Sequence, residues 1–328
     1  MTSSQGISSQ MIYSVLQNGL SNNYGKYTEI MAKMGANSKL TSISDDPVAT
    51  VNVLKTQKGL DNIAKYLENI ELGQNELTEL DDLLGNVLND ISGKYKPLVV
   101  QASNGTYGKD ALNAMLADLE GGLETLVNAG NTKYNGNYVF SGANVKTAAF
   151  TINKDADGNI ESVTYNGTSG DKEYQRYVQT GDGTFEVINT TGDKTFGYYD
   201  AANNKSEGII GTMVESINAL KVLVDENSTN AEKTAANEAL YGLLNDFDKN
   251  ISDITTVQAK YSSTYNNMEM TKTSLDNTKV NLTDYMSDLK DIDITEMSTQ
   301  LYNAMYAYQA SMSLIQQVYQ TGTLLDYI

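Results

Sequence analysis

Bulky apolar residues recur at intervals of seven along most of this chain. Leu240, Phe247, Ile254, Tyr261, Met268, Leu275, Leu282 and Leu289 form one unbroken row, and the register restarts after Asp291-Ile292-Asp293. Ile294, Leu301, Tyr308, Ile315 and Gly322 then form a second row, with Met297, Ala304, Ser311, Val318 and Leu325 three residues on. Side chains three, four and seven apart share one face of an α-helix. The pattern therefore predicts a long helix followed by a second one built as a coiled-coil seam. Tyr13, Leu20, Tyr27 and Met34 repeat the spacing near the other end, with Leu16, Asn23 and Ile30 between them. This predicts either a matching seam or an ordinary amphipathic helix laid on a core. No other apolar face lies near either end, which favours pairing of the two terminal helices with each other and with neighbouring copies. Burying each large residue is worth roughly 1.5–3 kcal/mol, and an isolated helix collects none of it.

Between these ends the pattern predicts paired helices around a change of texture. Residues 1–10 are small, polar and aperiodic, and are expected to be disordered. Thr41-Ser-Ile-Ser-Asp-Asp-Pro47 interrupts the helices, with Asp45 and Asp46 suited to capping and Pro47 to a first helical position. Ile63, Ile70, Leu77, Leu84, Ile91 and Leu98 form another row, joined by Tyr66, Leu80 and Val87, and Pro97 is expected to kink or stop that helix. Asn104-Gly105-Thr106 predicts a turn, and Leu112, Met115, Leu119 and Leu126 an antiparallel return helix. From Asn131 onward, Asn135-Gly136 and short alternating runs at 149–152, 162–165, 175–178 and 185–188 predict a hairpin and a small β-rich insert. Ile210, Met213, Ile217, Leu220 and Val224 reopen helix. The insert lies between helices that pair without it, so its removal is expected to leave the helical body folded.

Composition narrows the chemistry. With 328 residues, no Cys and no His, the chain lacks thiol and imidazole nucleophiles, Cys/His zinc sites and disulfides. A net charge of −18 repels polyanions, so no nucleic-acid partner is expected. Met1 to Met11 lacks a basic region followed by an apolar core, and no apolar run approaches the ~18–20 residues that span a bilayer. A soluble chain without a Sec-type signal peptide or membrane insertion is expected. Asn153, Asp155 and Asp157 before Gly158 partly match a Ca²⁺ loop, but Thr164 stands where a bidentate Glu belongs, and a tight turn is the simpler reading. Asp45-Asp46 reads as capping rather than acid–base chemistry. No catalytic, cofactor or metal residues are assigned. Tyr308 and Met312 are placed with the seam, whereas Tyr302 and Tyr306 lie off it and point to a partner or to partial packing within the chain.

Several motifs occur together in order. Ser44-Asp45-Asp46-Pro47-Val48-Ala49, Asn104-Gly105-Thr106, Asn131-Thr-Lys-Tyr-Asn-Gly136 with Tyr138-Val-Phe140-Ser-Gly142, Val163-Thr-Tyr165-Asn-Gly167 and Leu324-Leu-Asp-Tyr-Ile328 resemble the landmarks of the flagellar hook-associated protein 3 family, which is flagellin-like. The resemblance implies a mainly α fold with a small β-rich insert, a nested helical hairpin with a terminal coiled coil. Its expected parts are an inner segment from 1–42 and 292–328, a helical middle domain from 43–144 and 206–291, and an outer β-rich domain at 145–205. It implies a non-enzymatic structural part joining hook to filament, outside the cell and exported through the flagellar type III apparatus. Expected partners are flagellin, the first hook-associated protein, other copies in a ring-like homo-oligomer and an export chaperone. A flagellin-type filament subunit and an extended coiled-coil adhesin are the alternatives. Tyr13, Leu20, Tyr27, Asp45, Asp46, Pro47, Leu301, Tyr308, Ile315 and Leu325 are the candidate interface residues.

Overall fold

The computed structural model describes residues 9–105, 107–156, 158, 160–168, 175–203 and 205–325. Most of the opening segment at 1–10, Thr106 of the Asn-Gly-Thr turn, Asp157 of the acidic loop and the last three residues of the C-terminal motif lie outside the described residues. The chain divides into two compact units, Met1–Ile63 with Asp276–Ile328, and Ala64–Leu275.

In the second unit, helix α2 (Pro47–Asp90) supplies its part from Ala64 onward. A π segment (Ile91–Tyr95), α3 (Lys96–Ser103) and α4 (Lys109–Gly130) follow. The chain does not stop at Pro97, the second residue of α3; Lys96 N–H instead reaches back to Ile91 O across the wider π turn. That extra residue shifts the buried face. Leu98, next in the row of seven, is only half-buried, while Val99 and Ala102 are fully buried. Tyr95 lies against Gly122 of α4, where a Cβ would fall 2.4 Å from the ring, so the close approach requires glycine.

Asn135 and Gly136 both take positive φ (48° and 77°) to close the hairpin of β1 (Lys133–Tyr134) and β2 (Asn137–Tyr138), as the Asn-Gly pair predicts. The insert holds β3 (Phe150–Lys154), β4 (Ile160–Tyr165), β5 (Tyr177–Gly181), β6 (Thr184–Val187), the short α5 (Gly192–Thr195), β7 (Tyr198–Asp200) and β8 (Lys205–Glu207). An antiparallel sheet runs in the order β3-β4-β7-β8, and β5-β6 is a separate hairpin. Gly158 has φ 84° in the β3–β4 turn and its N–H donates to Asp155 O. No cluster of three or more acidic residues able to hold a metal occurs among the described residues.

Helix α6 (Gly208–Val224) is buried over most of its surface through Ile209, Ile210, Met213, Val214, Ile217 and Leu220. A helix apolar on so many sides must be surrounded. Its principal helical neighbour is α4, rather than the α2–α4 pairing that chain order suggests. Helix α7 (Asn230–Lys290) also reaches it, with Asn250 donating to Thr212 Oγ1 at 2.8 Å. A reciprocal capping box starts α7: Thr229 N–H donates to Glu232 Oε2, and Glu232 N–H to Thr229 Oγ1. Leu240, Phe247, Ile254, Tyr261 and Met268 are all buried, as their spacing predicts.

The β insert belongs to this same core. Phe140, Phe150 and Phe196 meet edge to face, with centroids 5.1 and 6.0 Å apart, and Phe150 and Phe196 join α6 in one apolar cluster. The Asn131 side chain accepts from Phe150 N–H at 2.8 Å and donates to Phe150 O at 2.9 Å. The Tyr261 hydroxyl bonds Thr190 Oγ1 at 2.7 Å, and burial pushes that phenol up to about 12. Arg176 of the insert pairs with Glu76 of α2, a carboxylate only 6 % exposed. Excising residues 145–205 would therefore uncover the helical core, contrary to the expectation drawn from periodicity. The deletion is expected to lose the cooperative helix melt in circular dichroism. Arg176→Ala, which leaves Glu76 buried and unpaired, is expected to cost about 3 kcal/mol, near the lower end for a buried pair because Arg176 is partly exposed. Chemical denaturation of the two proteins checks this.

Candidate subunit interface

The candidate interface residues with described side chains gather in the first unit. Helix α1 (Ser9–Gly35) and α8 (Ile294–Leu325) pack along each other. Tyr13 meets Tyr319 with centroids 5.3 Å apart, and Tyr24 and Tyr27 meet Tyr308 at 5.5 and 6.2 Å. Early residues of α1 thus face late residues of α8, so the pair is antiparallel. Tyr13, Leu16, Leu20, Asn23, Tyr27, Ile30 and Met34 are half-buried on α1. Met297, Leu301, Ala304, Tyr308, Ser311, Ile315 and Val318 are half-buried on α8. Leu325 is the last described residue of α8. Ile294, placed in the seam by spacing, is 64 % exposed because it opens the helix, and Met312 is exposed rather than on the seam. Tyr302 and Tyr306 are 60 % and 64 % exposed.

The polar residues of the seam pair with each other. Asn23 Nδ2 donates to Ser311 Oγ at 2.7 Å and to Ala307 O at 3.4 Å. A lone amide in an apolar seam prefers the one alignment that satisfies it, so this pair sets the register of α1 on α8. Asn23 and Ser311 both interrupt otherwise apolar rows, a signal from which their pairing was legible.

The loop from α1 to α2 is built by four separate devices. Asn37 takes positive φ (47°), with Ser38 N–H donating to Lys33 O and Asn37 N–H to Met34 O, which closes α1 in a Schellman turn. Lys39 N–H donates to Lys290 O at 2.7 Å and its ammonium to Asp288 O at 3.2 Å, covering the orphan carbonyls at the end of α7. Asp45 Oδ2 accepts from the amides of Thr41 and Ser42, both at 2.8 Å, so it folds the loop back on itself and does not cap α2. Asp46 is the cap: its Oδ1 accepts from Val48 N–H at 3.0 Å and Ala49 N–H at 2.9 Å, with Pro47 at the first helical position. Asp293 caps α8 in the same way, through Thr295 and Glu296. The roles of Asn37, Lys39 and Asp293 escape the apolar periodicity, because capping depends on backbone carbonyls and amides that only the folded path brings near.

No residue of α1 or α8 with a described side chain is fully buried, while Met11, Val15 and Met31 on α1 and Tyr302, Tyr306, Leu314 and Tyr319 on α8 stay exposed. A pair of helices leaving this much apolar surface in water is suited to bind more protein. Asn23→Ala is expected to weaken the pair by about 1 kcal/mol, and Asp46→Ala to destabilise the start of α2 by about 0.5–2 kcal/mol. Hydrogen exchange on α1 and on the first turns of α2 checks each separately.

Backbone donors hold the Asp45 and Asp293 carboxyls below the ordinary value of 3.8. A carboxylate with a depressed folded pKa stabilises the fold above its unfolded value, and that contribution is lost as pH falls through the folded one. The loop and the α8 cap are therefore expected to loosen as pH drops below 3.8. Asp45→Asn should remove that acid sensitivity at Thr41 and Ser42, as read by amide chemical shifts.

The models of two helical regions match the chain, the bacterial flagellin N-terminal region over residues 7–145 and the C-terminal region over residues 244–328. Flagellar hook-associated protein 3 of Escherichia coli is 25 % identical over 308 residues, covering 93 % of this chain and 94 % of that protein. Two crystal structures from Legionella pneumophila share the fold at 17 % identity. Its flagellar hook-associated protein 3 has a TM-score of 0.60, covering 72 % of this chain and 98 % of that one. Its flagellar junction protein has a TM-score of 0.56, covering 74 % and 100 %. No described helix is long and apolar enough to cross a membrane. The chain belongs to the flagellin-like family of flagellar hook-associated proteins, structural components of the extracellular bacterial flagellum that associate with other flagellar parts.

Proposed function

We propose that this protein is the junction subunit that joins the hook, through the first hook-associated protein, to the flagellin filament. Copies of it form a ring at that boundary. The reading rests on the extent of the likeness to hook-associated protein 3, which runs over 93 % of this chain. The partly uncovered pair α1–α8 supports it, since apolar residues left exposed on both helices can be covered by neighbouring subunits. Tyr13, Leu20, Tyr27, Leu301, Tyr308 and Ile315 hold the inner pair, Leu325 is assigned to the same interface, and Asp45, Asp46 and Pro47 shape the loop that meets a neighbour. Segments 1–42 and 292–328 act as the inner part, 43–144 and 206–291 as the middle and 145–205 as the outer. The protein reaches its place unfolded through the flagellar export apparatus, carried by a dedicated chaperone, and performs no catalysis.

A flagellin-type subunit is the second reading, favoured by the flagellin helical regions matched near both ends. Adding the purified protein to hooks that bear the first hook-associated protein, followed by flagellin, separates the two. A junction subunit is expected to restore flagellin polymerisation on those hooks without forming long filaments alone. Self-polymerisation into filaments would establish the flagellin reading, and failure to support flagellin growth would overturn the junction.

A further inference from the structure

Two exposed surfaces of this chain combine apolar residues with charges of opposite sign. The first is the outward face of α2 near its start. Val48, Val51 and Leu54 are 71 %, 49 % and 64 % exposed, and with Lys55 and Lys58 they occupy one side of the helix, opposite Thr56 and Ile63, which are buried. The second is an open groove of about 740 Å³ between α6 and α7. Its floor is Ala219 and Val222 of α6 with Ala235, Ala239 and Gly242 of α7, small residues that let another helix approach closely. Glu232 stands at one end, and Glu215 and Asp246 at the other. Lys55, Lys58, Glu215 and Asp246 join none of the ion pairs among the described residues.

We propose that the Val48–Lys58 face of one copy docks in the α6–α7 groove of the next, with Lys55 and Lys58 against Glu215 and Asp246. In a chain of net charge −18, copies repel one another, so a contact between copies needs local opposite charge. This face supplies the cations and the groove rim the anions. The lengths agree: Val48–Lys58 spans about 15 Å and the groove from Glu232 to Asp246 about 21 Å, at 1.5 Å per helical residue. Both lysines lie at one end of the apolar stripe, which fixes the direction of docking. The contact uses two different surfaces, so it is heterologous and repeats from copy to copy, as a ring requires. This deepens the junction reading and rests on it for its place in the flagellum.

The absence of cysteine gives a direct test in the full chain. Leu54→Cys in one preparation and Ala239→Cys in another are mixed under a mild oxidant, each first checked for native helix content. Disulfide heterodimers are expected well above the homodimers of either preparation alone, and a chain carrying both changes should form a ladder. Lys55→Glu with Lys58→Glu on the Leu54→Cys chain should lower the yield roughly thirtyfold, two exposed ion pairs at the favourable end of their strength. Glu215→Lys with Asp246→Lys on its partner should restore it. A heterodimer no more abundant than the homodimers, or a yield blind to both charge reversals, overturns the docking. A chain that never cross-links yet restores flagellin growth on hooks refutes this contact and leaves the junction role standing. One that cross-links as described but cannot restore flagellin growth keeps the contact and refutes that role.

Discussion

Everything in the second unit depends on covering α6. A helix carrying Ile209, Ile210, Met213, Val214, Ile217 and Leu220 cannot face water on any broad side, and it is the most continuously buried element described. Helices with one apolar stripe each cannot enclose it alone. The stripe of α4 covers part, α7 touches it through Asn250, and the aromatic cluster of the insert joins the same core. The β-rich segment is thus not ornament on a finished bundle. Two buried polar contacts, Glu76–Arg176 and Tyr261–Thr190, fix its position on the helices, because each must stay paired once removed from water.

The first unit is built on the opposite economy. Its helices are long but have narrow seams, and the seam residues remain half-buried. What specifies this unit is a set of short polar devices at the right places: Asn23 on Ser311, Lys39 on the end of α7, Asp45 on its own loop, Asp46 on α2 and Asp293 on α8. Each contributes modestly to stability and strongly to geometry. Such a unit keeps apolar surface available for contact with other protein. A structural role in an assembly explains why fully buried cover is concentrated elsewhere in the chain.

Charge acts with that division. The strongly negative chain opposes indiscriminate association, and the lysines on the outer face of α2 and the carboxylates at the α6–α7 groove are where that repulsion is locally reversed. Apolar contact supplies most of the affinity in such a joint, whereas charge decides which surfaces meet and in which direction.

The row of seven along α7, the two terminal seams, the Asp46-Pro47 helix start and the Asn135-Gly136 turn were all determined by sequence alone. Helical spacing, capping and positive φ are local properties of a few residues, and each leaves its mark in the order of residue types. The motifs also carried the family. Tertiary structure decided the rest. A π turn before Pro97 moved burial from Leu98 to Val99, an adjustment that depends on where Tyr95 must sit against Gly122. The partner of α4 proved to be α6, and the insert proved part of the core, since periodicity tells that a face is covered but not by what. Lys39 on Lys290 O, and Arg176 on Glu76, join residues far apart in the chain; such contacts appear only when the folded path brings a lone carbonyl or a buried charge beside its partner.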